Sequence, residues 1–298
     1  ADITATNLSG ALTATVTNTD DLTLTVGSGT TDVIALGDDG TKTLTVDASS
    51  AGGLVTLDDE GVAKDGDTSI TNLGSNGFTL KDGYLGTGDL SVTTSDASMT
   101  IALGDTTSLT SVSVNASSAA ADKTITLTGA EDVSLSSTDA DITATNLSGA
   151  LTATVTNTDD LTLTVGSGTT DVIALGDDGT KTLTVDASSA GGLVTLDDEG
   201  VAKDGDTSIT NLGSNGFTLK DGYLGTGDLS VTTSDASMTI ALGDTTSLTS
   251  VSVNASSAAA DKTITLTGAE DVSLSSTDAD ITATNLSGAL TATVTNTD

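Results

Sequence analysis

The stretch Leu22-Thr-Leu-Thr-Val26 alternates aliphatic and hydroxyl side chains without a break. Period-two spacing sends successive side chains to opposite faces of an extended chain, here one apolar and one polar. Leu22–Val26 therefore reads as a strand with one buried face. The same pattern returns at Lys42-Thr-Leu-Thr-Val46, Ser69-Ile-Thr71, Leu90-Ser-Val-Thr93, Ser111-Val-Ser-Val114 and Val133-Ser-Leu-Ser136. Centring each on the aliphatic residue between two hydroxyls gives Leu24, Leu44, Ile70, Val92, Val112 and Leu135, then Leu163 in the next round. The spacings are 20, 26, 22, 20, 23 and 28 residues.

Between these strands lie others: Val33-Ile-Ala-Leu36, Leu54-Val-Thr-Leu57, Phe78-Thr-Leu80, Met99-Thr-Ile-Ala-Leu103 and Thr124-Ile-Thr-Leu-Thr128. The last interval holds two, Ile142-Thr-Ala-Thr145 and Leu151-Thr-Ala-Thr-Val155. Gly, Asp, Asn and Ser fill the gaps, and these residues tolerate tight or left-handed backbone. Helical spacing is absent; Ser117–Asp122 has room for one turn at most. A unit of twenty-odd residues with two or three strands and tight corners is one coil of a parallel β-solenoid. A string of β-sandwiches is the alternative, but sandwich cores usually carry several aromatics. Here there are two Phe, two Tyr and no Trp.

A longer period overlies the short one. Residues 1–139 recur without change at 140–278, and a third copy begins at 279–298. The reading is one continuous solenoid with about six coils of ~19–28 residues per 139-residue repeat. Two repeats and the start of a third would give about thirteen coils, a rod on the order of 60 Å at the interstrand spacing. Each copy is expected to sit in the same environment. Duplication would then add coils without disturbing existing contacts.

Composition narrows the function. Eight Lys against 42 Asp plus Glu give a formal net charge of −34, which repels nucleic acid and anionic membranes. No run of eighteen apolar residues is present to cross a bilayer. Cys and His are absent, which removes the thiolate nucleophile, the commonest general base and the soft-metal ligands. A polysaccharide-lyase solenoid would need Arg or Lys beside acids in a groove with aromatic platforms, and Arg is missing too. No enzyme is expected.

Two surfaces are candidates for function. One is a hydroxyl ladder: Thr23 and Thr25, Thr43 and Thr45, Ser69 and Thr71, Ser91 and Thr93, Ser111 and Ser113, Ser134 and Ser136. In a solenoid these would form two parallel outward columns. They resemble the Thr-x-Thr columns of insect-type ice-binding solenoids, with Ser at half the positions and unequal coil lengths as departures. Ser and Thr are also polar residues that strands accept, and that plainer reading carries more weight. The other surface is an acidic edge at Asp38, Asp39, Asp58, Asp59, Asp82, Asp105, Asp132, Asp159 and Asp160. Stacked carboxylates about 5 Å apart repel by roughly 1 kcal/mol even in water. A hard cation such as Ca²⁺ would relieve the repulsion, in which case chelation lowers the melting temperature. Asp-Gly is equally ordinary turn chemistry. No other cofactor is implied.

Smaller signals complete the reading. Lys42, Lys64, Lys81 and Lys123 are expected to pair with neighbouring carboxylates, and Tyr84 to pack over a corner. Asn7-Leu-Ser9 and Asn115-Ala-Ser117 fit the N-glycosylation pattern.

The hydroxyl-flanked aliphatic triplets, the Gly-Asp corners and the long identical repeat resemble the giant repetitive surface and secreted proteins of bacteria, such as filamentous β-helix adhesins and type I-secreted adhesins. The resemblance implies an extracellular or cell-surface protein, bacterial rather than archaeal. It implies a fibre or stalk for attachment, cell–cell contact or a biofilm matrix. Its partners would be a surface receptor and other copies of itself, joined end to end or in lateral bundles. Contacts would be multivalent, many weak identical sites adding through effective concentration.

Overall fold

A computed structural model describes residues 2–17, 20–29, 31–36, 42–59, 65–105, 108–168, 170–175, 181–198, 204–245 and 247–295. Among the described residues every regular element is a strand. The chain divides into two compact units, Ala1–Gly149 and Ala150–Asp298.

The first unit holds β1 (Ile3–Thr4), β2 (Thr13–Val16), β3 (Leu22–Thr25), β4 (Thr31–Leu36), β5 (Leu44–Asp47), β6 (Leu54–Asp58) and β7 (Thr68–Leu73). It continues with β8 (Phe78–Leu80), β9 (Asp89–Thr94), β10 (Met99–Leu103), β11 (Ser111–Asn115), β12 (Thr124–Gly129), β13 (Val133–Ser137) and β14 (Asp141–Leu147). Odd-numbered strands pair in one parallel sheet and even-numbered strands in the other. The chain passes from sheet to sheet at each corner, so two strands make one coil. This is a parallel β-solenoid, as the alternation predicts.

Register shows how the core stacks. In the odd sheet Leu22, Leu44, Thr68, Leu90, Val112 and Val133 form one inward column. Leu24, Val46, Ile70, Val92, Val114 and Leu135 form the second. Leu24, Val46 and Ile70 have no exposed surface. The triplet centres would set Leu44 and Val112 in one column with Leu24, Ile70, Val92 and Leu135, and the structure corrects this by two residues, to Val46 and Val114. In the true register the second-column spacings are 22, 24, 22, 22 and 21 residues, far more even than those read from triplet centres. Equal coils keep the backbone hydrogen bonds of both sheets in step.

The even sheet closes the core from the other side. Phe78 stacks between Val55 and Ile101 and is fully buried. Burying each such side chain stabilises the fold by about 1.5–3 kcal/mol. Corners use backbone that few residues allow. Gly129 has φ +122°, and a Cβ there would lie 1.4 Å from the Leu103 carbonyl oxygen. Asn72 has φ 58° at the bulge where β7 slips against β9 between Ile70 and Leu73. Asparagine is among the few non-glycine residues that tolerate this conformation.

The second unit holds β15 (Leu151–Val155), β16 (Leu161–Thr164), β17 (Thr170–Leu175), β18 (Leu183–Asp186), β19 (Leu193–Asp197), β20 (Thr207–Leu212) and β21 (Phe217–Leu219). It ends with β22 (Asp228–Thr233), β23 (Met238–Leu242), β24 (Ser250–Ala255), β25 (Thr263–Gly268), β26 (Val272–Ser276), β27 (Asp280–Leu286) and β28 (Leu290–Val294). Within it, odd and even strands again form two parallel sheets.

The count of coils differs from the sequence expectation. Among the described residues, strands β1 to β13 fall in one 139-residue repeat, which makes thirteen strands, or six and a half coils rather than about six. The two strands read in the last interval supply the extra half. Successive copies therefore do not share one environment. Strand β1 pairs with β3 in the odd sheet, whereas its copy β14 pairs with β12 in the even sheet of the same unit.

Candidate functional surfaces

The hydroxyl ladder is real but differently assembled. Its central column is Thr23, Thr45, Ser69, Ser91, Ser113 and Ser134, one residue on each successive strand of the odd sheet. Each lies between two inward aliphatic positions and so points outward; Ser113 and Ser134 are exposed and the other four half-buried. The adjoining column runs Thr25, Asp47 and Thr71, is interrupted by the bulge between Ile70 and Leu73, and resumes as Thr93, Asn115 and Ser136, so two of these six places are not hydroxyls. Thr43 and Ser111 belong to neither. Thr43 precedes β5 and donates its backbone N–H to the Asp21 carboxylate, and Ser111 opens β11, where it registers with Asp89. The two-residue register correction accounts for both displacements. In the second unit the central column is Thr162, Thr184, Ser208, Ser230, Ser252, Ser273 and Thr291, carried by even-numbered strands.

The opposite sheet is different in character. In the first unit its matching outer positions include Thr13, Thr56, Thr79, Ala102, Thr128 and Asn146. Hydroxyls are interrupted there by apolar and amide residues.

Asp47 interrupts the ladder with a local network. Its carboxylate accepts the Ser49 backbone N–H at 3.0 Å and the Asn72 side-chain amide at 3.2 Å. Burial pushes its pKa up, but the hydrogen bonds from Ser49 and Asn72 outweigh this and hold the carboxyl below its ordinary value. Asp186 is in the same state, with burial opposed by Asn211 and Ser188.

Of the acidic corners in the first unit, Asp58, Asp59 and Asp82 have carboxylates engaged with the next coil. Asp59 is buried and accepts the Leu85 backbone N–H. Asp58 pairs with Lys81. Asp82 accepts the Asp105 N–H at 3.3 Å, and Asp67 accepts the Asp89 N–H at 3.0 Å. Asp21 and Asp65 serve the same way, toward the Thr43 N–H and the Thr87 hydroxyl. Each carboxylate thus staples its own corner to the next coil. Asp132 is exposed at the entry to β13. In the second unit Asp160 accepts the Thr182 N–H at 3.0 Å, and Asp159 pairs with Lys181 at 3.5 Å. Asp38, Asp39 and Lys64 lie outside the described residues. Among the described residues, no three acidic side chains gather closely enough to hold a metal ion.

Other expectations fall into place on this frame. Lys123 pairs with Asp122 at 2.6 Å, and its copy Lys262 with Asp261 at 2.7 Å. Tyr84 is buried over its corner, where a Cβ on Gly86 would lie 2.3 Å from the ring. That glycine is the signal in the sequence for the packed tyrosine.

Sequence reasoning missed two features. Thr68 occupies a core column between Leu44 and Leu90, and its hydroxyl has no partner. A cavity of about 330 Å³ in the second unit is lined by Thr245, Thr249, Ser250, Glu270 and Asp271. Glu270 there accepts the Thr245 N–H at 2.7 Å. It opens where a seven-residue corner (243–249) lies beside a three-residue one (269–271), a mismatch visible only once strand ends are known.

Compared with known protein families, characterised proteins and solved structures, the chain matches none.

Proposed function

We propose that this chain is a structural and adhesive segment of an extracellular, bacterial cell-surface fibre or stalk. The observation that carries this reading is the central hydroxyl column, one donor-acceptor per coil from β3 to β13 in the first unit and from β16 to β28 in the second. A hydroxyl both donates and accepts, so a row of them suits any partner that presents polar groups at a regular spacing. Single contacts of this kind are weak, and their sum depends on how many engage at once. The partner is a surface receptor or matrix, with other copies of the chain joined end to end or laterally. The net charge of −34 holds lateral neighbours apart at low salt.

Adhesion force measurement on the full chain tests the reading. Bacterial cells or matrix-coated glass are the probes, and Thr45, Ser69, Ser91 and Ser113 are replaced by Lys one after another. Rupture force should fall stepwise with each replacement. No fall after all four overturns it.

A second reading is favoured by the same column: binding of ice or another crystalline surface. Thermal hysteresis and faceted ice growth at high protein concentration would support it, and their absence removes it.

A further inference from the structure

Thirteen is odd, and two strands make a coil. A 139-residue step along the chain therefore ends in the opposite sheet from where it began. The first unit shows this directly. Strand β1 and its copy β14 carry the same sequence, yet Thr4 registers with Thr25 in the odd sheet and Thr143 with Thr126 in the even sheet. The second unit shows it independently. Strand β15 registers with β17 in the odd sheet, and its copy β28 with β26 in the even sheet.

We propose that the repeat is a half-integral unit whose duplication exchanges the two sheets, so that each unit displays one strand surface on both of its sheets: that of β1 and β14 in the first unit and that of β15 and β28 in the second. The fold permits the exchange because the two sheets make the same demand on a strand. Ile3 registers with the inward Leu24 but is itself 46% exposed, whereas Ile142 registers with the inward Ile125 and is buried. Both pairings set isoleucine against an inward aliphatic residue and threonine against an outward threonine, so one alternation fits the register of either sheet. A whole number of coils per repeat would have fixed each surface to one face.

The consequence for interaction rests on the adhesive reading above. A partner that recognises one strand surface meets it from two opposite directions. Such a unit bridges two bodies rather than coating one.

The chain has no native cysteine, so introduced thiols report the geometry whether or not the chain adheres. In the full chain, Thr126→Cys with Thr143→Cys should be joined by a short bis-maleimide at least tenfold faster than Ser134→Cys with Thr143→Cys. Thr265→Cys with Thr282→Cys in the second unit should match the first pair. Gold labels on Thr4→Cys and Thr143→Cys should project from opposite sides of the first unit in electron micrographs, and labels on Thr4→Cys and Ser134→Cys from the same side. Preferential joining of residue 143 to residue 134, or labels at 4 and 143 on one side, overturns the proposal. Failure of the adhesion measurement alone leaves the geometry standing and removes only its use in bridging.

Discussion

Strands β15 and β28 have the same five residues, Leu-Thr-Ala-Thr-Val, and the same length. Each pairs in parallel with a neighbour, β17 for one and β26 for the other. Yet Leu151, Ala153 and Val155 have no exposed surface, whereas Leu290 and Val294 are 37% and 56% exposed. Strand conformation is thus reached with one paired neighbour and the alternation of the sequence. Burial is a separate contribution, made by stacking, and it is where most of the stability of a repeat protein resides. Identical residues can therefore differ greatly in what they contribute.

Identical substitutions in the two strands should break that equality most sharply with a charge. Ala153→Asp places a carboxylate in the core with no partner and should cost upwards of about 4 kcal/mol. Ala292→Asp, at the exposed copy, should cost less than about 0.5 kcal/mol. Urea denaturation of the two variants gives the comparison. Equal losses would mean that burial does not distinguish the strands.

Truncation should give a smaller contrast of the same kind. Leu151→Ala removes a fully buried side chain and leaves a cavity, for about 2–5 kcal/mol. Leu290→Ala removes one already partly in water and should cost about 1 kcal/mol or less. Hydrogen exchange should then show protection lost around β15 in the first variant and hardly changed around β28 in the second.

Much of this frame is legible in the residues themselves. Alternation marks nearly every strand, because a thin two-sheet core demands strict inside-outside order. The register is not legible. Lys42-Thr-Leu-Thr-Val46 has two inward aliphatics, Leu44 and Val46, and either could stand opposite Leu24. Corner length and backbone pairing decide between them, and both are tertiary. The half coil escapes for a related reason. Strands of the two sheets obey one pattern, so the sequence does not say which sheet a strand joins. Thr68 misleads most of all. In Thr68-Ser-Ile-Thr71 it looks like one more outward hydroxyl, but the phase set by Ile70 turns it into the core.

That inward threonine yields a stabilising substitution. Thr207, the copy of Thr68 in the second unit, is buried between Leu183 and Leu229 with its hydroxyl unpartnered. Thr207→Val replaces the hydroxyl with a methyl of similar shape and should add about 1 kcal/mol. Thr162→Val, on the exposed outer face of β16, should change stability by less than about 0.5 kcal/mol. Thermal unfolding of both variants ranks the two sites, and a destabilised Thr207→Val would mean that the hydroxyl has a partner.

The smallest expected effect separates charge from burial. Asp47 and Asp186 are copies, both with burial opposed by hydrogen bonds and both held below the ordinary carboxyl pKa. In the unfolded chain the group titrates near 3.9. A carboxyl depressed in the folded state binds its proton more weakly there than in the unfolded chain. Its contribution is therefore complete above the unfolded value and is lost as pH falls through the folded one. Asp186→Asn should be slightly less stable than the parent chain at pH 7, on the order of a few tenths of a kcal/mol because the group is largely exposed and screened. The gap should close as the pH is lowered through the acid range. Asp47→Asn should follow the same curve, since both copies hold the same Ser and Asn partners. A gap that widens in acid would show that the amide removes packing rather than charge.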